Sequence, residues 1–434
     1  MVEKVHTAYV RLCGQSIGAV AWLADREVAA FEFVPGFLTS GLDVAPLTMP
    51  LREARGRVFE FPTLNRETFL GLPGLLADSL PDKFGNAIID AWLARNGRSA
   101  ADFSPVERLC YTGTRGMGAL EFEPAMTSGL ERSVPVEVSE LVSLAQKIMS
   151  ERDRLDGRLG DGDGPDHDTL RDILRVGTSA GGARPKAVIA MNAEGRVVSG
   201  QTAAPAGFTY WLLKFDGVND LELGAPQGYG RIEYGYSLMA RAAGIEMTEC
   251  RLLEENGRAH FMTRRFDRED GEKRHLQSLC GIAHYDYNAA GVYGYEQVFA
   301  VMRRLHLARA EAVQQYRRML FNVVARNQDD HTKNIAFLMG RDGRWHLAPA
   351  FDLIYAHNPK GRWTSQHQMT INGKRDDFTR ADLVAVGESI SISRPGDILD
   401  EIVSVVADWP AYARKAGVDA GRAQQILQTL RLVW

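Results

Sequence analysis

The stretch MLFNVVARNQDDHTKNIAFL, residues 319–338, runs from an apolar helical pattern into nine polar residues, RNQDDHTKN, and straight back into an apolar run. From Asn334 the apolar run NIAFLM meets a turn signal at Gly340, Arg341, Asp342 and Gly343 and returns as RWHLAPAFD, the pattern of a β-hairpin. Hairpin strands are antiparallel, so Asn334 and Asp352 are expected to come back together on one side. Asp329, five positions before Asn334, then lies near both.

Composition bounds what such a cluster can serve. The chain has 434 residues, 45% hydrophobic and 24% charged, enough for two or three domains with their own cores. A net charge of −4 does not describe a surface built mainly to hold nucleic acid. Cys13, Cys110, Cys250 and Cys280 are far apart and form no CxxC pair, so neither a zinc ribbon nor a disulfide framework is expected. The start, MVEKVHTAYV, offers no apolar leader core, and no segment reaches the roughly 18 apolar residues of a membrane span. The expectation is a cytoplasmic protein with no membrane partner.

Three alternating runs, TAYVRL, IGAVAWL and EVAAFEF, predict an antiparallel meander at the start. Helical spacing follows between Pro81 and the Asn96-Gly97 stop, and again from Val136 to Met149. The acidic, glycine-rich DRLDGRLGDGDGPDHD, residues 153–168, marks the main boundary. Beyond it KAVIAMN, FTYWLLKFD and GRAHFMTRRFD read as strands, interrupted by the helical RIEYGYSLMARAAG, and helical periodicity dominates from about Glu296. This gives an α+β chain divided as 1–125, a β meander plus helices; 126–170, a helix and linker; 171–266, a β lobe; and 267–434, a helical lobe.

An aspartate followed five residues later by an asparagine, with a second aspartate after a hairpin, is the arrangement of a protein-kinase active site. There the first aspartate orients the acceptor hydroxyl, while the asparagine and second aspartate hold magnesium, a hard cation that takes oxygen ligands. A kinase also needs a cation for the ATP phosphates and a carboxylate to hold it. Lys214 ends the strand-like FTYWLLK, with Lys186 competing for the same role, and Glu233 lies in the helix between strands. Upstream, GTSAGGARPK, residues 177–186, is a small-residue loop whose backbone amides at Gly181 and Gly182 suit phosphates. The order Asp329, His331, Asn334 also resembles the loop of phosphatidylinositol-type kinases, which places His331 beside the transferring phosphate.

The pieces TSAGGARPKAV, RRFDR, NQDDHTKNIAFL, LAPAFDL and QMTINGKRDDFT, in this order, resemble the HipA family of serine/threonine kinase toxins from bacterial type II toxin–antitoxin systems. LPGLLADSLPDKFGNAIID and GTRGMGALEF resemble that family's N-terminal domain, so the likeness spans about residues 7 to 395. It implies a protein-kinase-like, two-lobed fold using ATP and Mg2+. Asp329 and His331 are then catalytic, Asn334 and Asp352 hold the metal, and Lys214, Lys186, Glu233 and Lys333 belong to the ATP site. Phe266, in RRFDR, lies at the hinge where backbone groups meet adenine. The family autophosphorylates a serine seven residues before the loop lysine, here Ser179, which ejects the loop and switches the kinase off. The implied partners are a small helix-turn-helix (HipB-like) antitoxin, operator DNA through it, a protein substrate such as an aminoacyl-tRNA synthetase, and a second copy in a homodimer. Two positions depart from the best-known members: Arg264 replaces a glutamate and Asp330 a glycine. For Asp330 three readings stand open: a cap, a second metal ligand, or a solvated side chain.

Other reaction classes remain in competition. A metal-dependent phosphohydrolase or nuclease would use Asp329, Asp330, His331 and Asp352 with two metals and no ATP. A catalytically silent nucleotide binder attached to an antitoxin is the third alternative. GTRGMG, residues 113–118, imitates a phosphate loop but reads as a tight turn, and DGDGPDHDTLRD lacks the glycine an EF-hand requires. His275, His284 and His367 have no metal-ligand spacing.

Overall fold

Period-2 alternation in the first forty residues becomes a sheet with one buried face. In β1 (Thr7–Leu12) Ala8, Val10 and Leu12 point inward, while Tyr9 on the other face is 59% exposed. β2 (Gln15–Leu23), β3 (Val28–Phe33), β4 (Val58–Phe59) and β5 (Leu120–Glu123) complete a five-stranded sheet of order β4-β3-β2-β1-β5. Every pairing in it is antiparallel. The computed structural model describes residues 4–81, 85–86, 88–90, 93, 98–99, 103–126, 135–143, 145–146, 185–216, 228–269 and 271–434. The proposed boundary at 153–168 lies outside these, as do Ser179, Gly181 and Gly182 and parts of the helices expected after Pro81 and Val136.

Contacts divide the chain into two compact units, one of residues 1–45, 49–227 and 251–276, the other of 46–48, 228–250 and 277–434. In the first unit α1 (Pro105–Thr112) opens on a capping box: Ser104 Oγ accepts from the Glu107 amide and the Glu107 carboxylate accepts from the Ser104 amide. A second sheet, of order β7-β6-β8-β10-β9, is formed by β6 (Lys186–Met191), β7 (Val197–Ser199), β8 (Thr209–Lys214), β9 (Cys250–Glu255) and β10 (Arg258–Arg264). Its apolar face, with Ala187, Ile189, Trp211, Leu213 and Met262, shares one core with Ile88, Leu93, Tyr111, Leu141 and Val142. The N-terminal residues therefore complete the hydrophobic face of the β lobe.

A buried charge cluster ties that unit together. The fully buried Asp267 takes Arg265 Nη2 at 2.7 Å, Arg268 Nη1 at 2.9 Å and the Gly118 amide at 2.7 Å. Burial by itself raises its pKa, but the two guanidinium groups and the Gly118 amide outweigh burial and hold the carboxyl well below the usual range. Arg268 also donates to the Gly116 and Gly118 carbonyls, so GTRGMG is, as expected, a turn, and it is locked onto RRFDR. Gly118 is required there: its φ is +73°, and a Cβ would come within 3.1 Å of the Leu276 amide.

The second unit is mostly helical, with α2 (Tyr229–Ala242), α3 (Leu279–Ala283), α4 (Tyr295–Arg304), α5 (Arg309–Val324), α6 (Arg380–Ser389), α7 (Pro395–Ala407), α8 (Trp409–Ala416) and α9 (Ala420–Leu427). Its strands include the expected hairpin, β11 (Ala336–Met339) on β12 (Trp345–Leu347), in register Phe337 to Leu347 and Met339 to Trp345. The last six residues of α5 are all buried, and Tyr236 of α2 donates to the Ala325 carbonyl just beyond them at 2.7 Å. The helix that delivers the polar loop is thus fixed at its outgoing end. Among the described residues no helix is long and apolar enough to cross a membrane.

Burial pushes the pKa values of His275, His284 and His357 down to about 4. Folded, they stay neutral well below the pH, about 6.5, at which the unfolded chain takes up protons. Their contribution is complete above about pH 6.5 and is lost as pH falls toward 4. The urea midpoint followed by circular dichroism is accordingly expected to fall steadily between those limits, and less so in a variant with His357 replaced by glutamine.

Candidate active site

The polar loop starts where α5 ends. Ala325 closes the helix, and Arg326 turns the chain with φ +58°. Residues 326–328 then run parallel to the chain beyond the hairpin: the Gln328 amide donates to the Ala356 carbonyl at 3.0 Å and the Ala356 amide to the Arg326 carbonyl at 3.1 Å. One turn of tighter helix, Thr332–Asn334, completes the loop before β11.

Within it the side chains divide by direction. The Asp329 side chain is 48% exposed, with His331 Nε2 3.8 Å from Oδ1. Asn334 Nδ2 donates to the Asp329 carbonyl at 2.7 Å, which commits its nitrogen inside the loop and leaves its Oδ1 as the atom available to a cation. Thr332 Oγ1 donates to the Tyr285 carbonyl at 2.7 Å, anchoring the loop to the segment before α4. From that segment Tyr287 lies 5.6 Å from the His331 ring and 4.5 Å beneath Lys333 Nζ, so one aromatic ring packs against both side chains of the loop.

Asp352 follows β12 with φ +53°, a left-handed conformation that few non-glycine residues adopt and that aspartate tolerates best with asparagine. Its carbonyl accepts from Asn327 Nδ2 at 3.3 Å. The same Nδ2 lies 2.9 Å from Asn322 Oδ1, so an amide from the polar loop joins α5 to the residue after the hairpin. The hairpin thus returns Asp352 to the loop that carries Asp329 and Asn334, as its pattern requires.

Asp330 turns the opposite way from Asp329 and is only 2% exposed. Its Oδ2 accepts from Tyr295 Oη at 2.9 Å and lies 2.9 Å from His367 Nδ1, and its Oδ1 accepts from the Gln368 amide at 2.8 Å. Burial acts to raise its pKa, yet His367, the Gln368 amide and Tyr295 together lower it, so the carboxylate is ionised. Of the three readings left open, the capping one is nearest: Asp330 is a buried acceptor, with both oxygens engaged by protein donors. Sequence reading missed this role, and with it those of Tyr295, His367 and Gln368. The pairs are separated by up to 38 residues, and no local pattern joins them.

The remaining expected residues are placed as follows. Lys186 and Lys214 are direct cross-strand partners in β6 and β8, so both leave the same face of the sheet. Glu233 is 3% exposed in α2, not a surface carboxylate. Phe266 is half-buried between the buried Arg265 and Asp267, and Arg264 is exposed. Among the described residues no three His, Cys, Asp or Glu side chains converge on a metal position. A magnesium ion held by one asparagine and one aspartate, with phosphate and water oxygens as its other ligands, does not require such a trio.

A family model described as the HipA-like C-terminal domain matches residues 178–431, and one described as the HipA N-terminal domain matches residues 8–123. No curated protein matches this chain. Among solved structures, a chain of the Shewanella oneidensis MR-1 toxin–antitoxin complex of HipA, HipB and operator DNA aligns over 97% of this chain and 96% of its own, with TM-score 0.65 and 18% identity. The Helicobacter pylori proinflammatory kinase CtkA aligns over 50% of this chain and 92% of its own, with TM-score 0.31 and 12% identity. The first likeness extends over nearly the whole chain, and the α+β, HipA-like fold expected from the sequence is the one found.

The bridge made by Asn327 gives a direct test. Replacing it with alanine removes the donor shared by Asn322 and Asp352 and is expected to cost roughly 1–3 kcal/mol. Amide exchange measured by mass spectrometry should accelerate in residues 352–356 and remain unchanged in α7.

Proposed function

Because the chain belongs to the HipA family, we propose that it is an ATP- and magnesium-dependent serine/threonine protein kinase acting as the toxin of a bacterial toxin–antitoxin pair. The observation that carries this reading is the Asn334 amide fixed on the Asp329 carbonyl at 2.7 Å, with Asp352 returned beside that loop by the hairpin. This separates an exposed carboxylate for the acceptor hydroxyl from two oxygen donors for a cation, the division of labour that phosphoryl transfer requires.

In this reading Asp329 orients the serine or threonine hydroxyl and accepts its proton. Lys333, steadied by Tyr287, presents positive charge on the loop, and His331, packed on the same ring, faces the transferring phosphate. Asn334 and Asp352 hold magnesium, which when bound neutralises charge on the transferring phosphate. Lys214 and Lys186 take the ATP phosphates, Gly181 and Gly182 cover them, Glu233 supports the lysines, and Phe266 lies at the adenine. Phosphorylation of Ser179 switches the enzyme off. The proposed substrate is an aminoacyl-tRNA synthetase or another component of translation, in the cytoplasm. The matched Shewanella complex contains HipB and operator DNA, and on that likeness a small helix-turn-helix antitoxin, and operator DNA through it, are proposed as partners. A homodimer is the proposed assembly.

The hydrolase alternative needs Asp330 as a metal ligand, and that carboxylate is buried with both oxygens already engaged by Tyr295, His367 and Gln368. Incubation with ATP and magnesium followed by intact-mass measurement is expected to add a phosphate at Ser179. EDTA should abolish the addition, and Asp329→Ala should slow it by about 10²–10⁴-fold. Absence of phosphate on the protein and on every protein of an added lysate would overturn the assignment, and ATP-independent cleavage of a phosphoester would favour the hydrolase.

A further inference from the structure

The residues between Asp352 and Gln368 occupy the place where protein kinases carry an activation loop, a segment commonly ordered by phosphorylation. Here that segment is stitched to the candidate catalytic loop at both ends. Near its start Asn327 Nδ2 holds the Asp352 carbonyl, and the backbone bridge joins Arg326 and Gln328 to Ala356. Directly after it His357 Nδ1 meets Gln328 Oε1 at 2.5 Å. At its end His367 and the Gln368 amide close on Asp330 at 2.9 and 2.8 Å. Gln368 Nε2 also donates to the Trp363 carbonyl, folding the tip of the segment back on its base.

These contacts converge on one group. Asn327 donates to Asn322, Asn322 Nδ2 to Tyr295 Oη at 3.0 Å, and Tyr295 Oη to Asp330, so a single chain of donors runs from the Asp352 backbone to the Asp330 carboxylate. Each member polarises the next, and the terminal charge strengthens all of them. Because Asp330 is tied inward, its neighbour Asp329 is turned outward.

We propose that Asp330 is a positioning residue that orders residues 352–368 and aims Asp329 without any phosphorylation of that segment. The proposal rests on the kinase reading for its consequence. The permanent charge of Asp330 takes the place of a reversible phosphate, so the catalytic loop is assembled as soon as the chain folds. Control of activity must then act elsewhere, at the nucleotide or through a partner.

Asp330→Asn keeps the size of the side chain and an acceptor for the Gln368 amide, but it removes the charge and sets an amide against two donors. The test compares this variant, a Thr364→Ala and Ser365→Ala double variant, and the unmutated chain, each with magnesium. Expected for Asp330→Asn is a fall in single-turnover phosphoryl transfer of roughly 10²-fold, the cost of a small misplacement of reacting groups, with the Kd of a non-hydrolysable ATP analogue unchanged. Hydrogen exchange should rise in 353–371 and remain unchanged in α7 and α9. The double variant should retain the full rate and bear no phosphate in this segment. The proposal is overturned if Asp330→Asn transfers phosphate at the normal rate, if protection falls uniformly over the whole chain, or if the double variant loses activity. Should the unmutated chain transfer no phosphate at all, the kinase reading fails by itself, and the exchange pattern alone decides whether Asp330 orders the segment.

Discussion

The second unit is organised around one carboxylate withdrawn from water. Taking an ion of this kind into the interior costs several kcal/mol, and the cost is offset only when its lone pairs meet well-placed donors. Asp330 has three, from Tyr295 on α4, from His367 and from the Gln368 backbone, which are remote in sequence. Satisfying one charge therefore fixes a helix, a loop and the strand-like stretch after the hairpin relative to one another. The exposed Asp329 inherits its direction from that arrangement, because its neighbour in the chain cannot leave the interior without abandoning those bonds.

The first unit uses the same device. Asp267 is buried between two arginines and the Gly118 amide, and through them the GTRGMG turn and the RRFDR segment become one piece. The buried pair discriminates more than it stabilises, since an apolar replacement of equal volume often serves stability as well. What it secures is register: a slip of one residue in β10 would carry Asp267 and its two neighbouring arginines together away from the Gly118 amide and the Gly116 and Gly118 carbonyls that they hold. Trp211 and Leu213, on the apolar face of the same sheet, pack with helical residues from the N-terminal part, which is why that part and the β lobe share a core.

Much of this was legible in the chain. Alternation located β1 to β3 and the strands around Lys186, Lys214 and Arg264, and 3.6-residue spacing located α2, α4 and α5, because each element buries one face and the period of burial is local. The hairpin was legible for a similar reason, as its turn glycines and flanking apolar runs lie within about twenty residues of sequence. Lys186 and Lys214 were read as rivals, whereas the antiparallel pairing of β6 and β8 sets them side by side. Glu233 carried no local sign of burial, since a glutamate on an amphipathic helix usually faces water. Asp330 was the residue without a role, and its role depends on partners as far away as Gln368.

The sequence by itself determined which residue types are grouped: the aspartate, histidine, lysine and asparagine of the polar loop, the second aspartate after a hairpin, and the strand and helix order around them. Those are properties of spacing, and spacing is written in the chain. Only the tertiary structure decided which of two adjacent aspartates faces solvent, because the two residues are of one type and the chain gives no local mark that separates them. The difference is made by a tyrosine, a histidine and one amide that reach Asp330 only when the chain is folded.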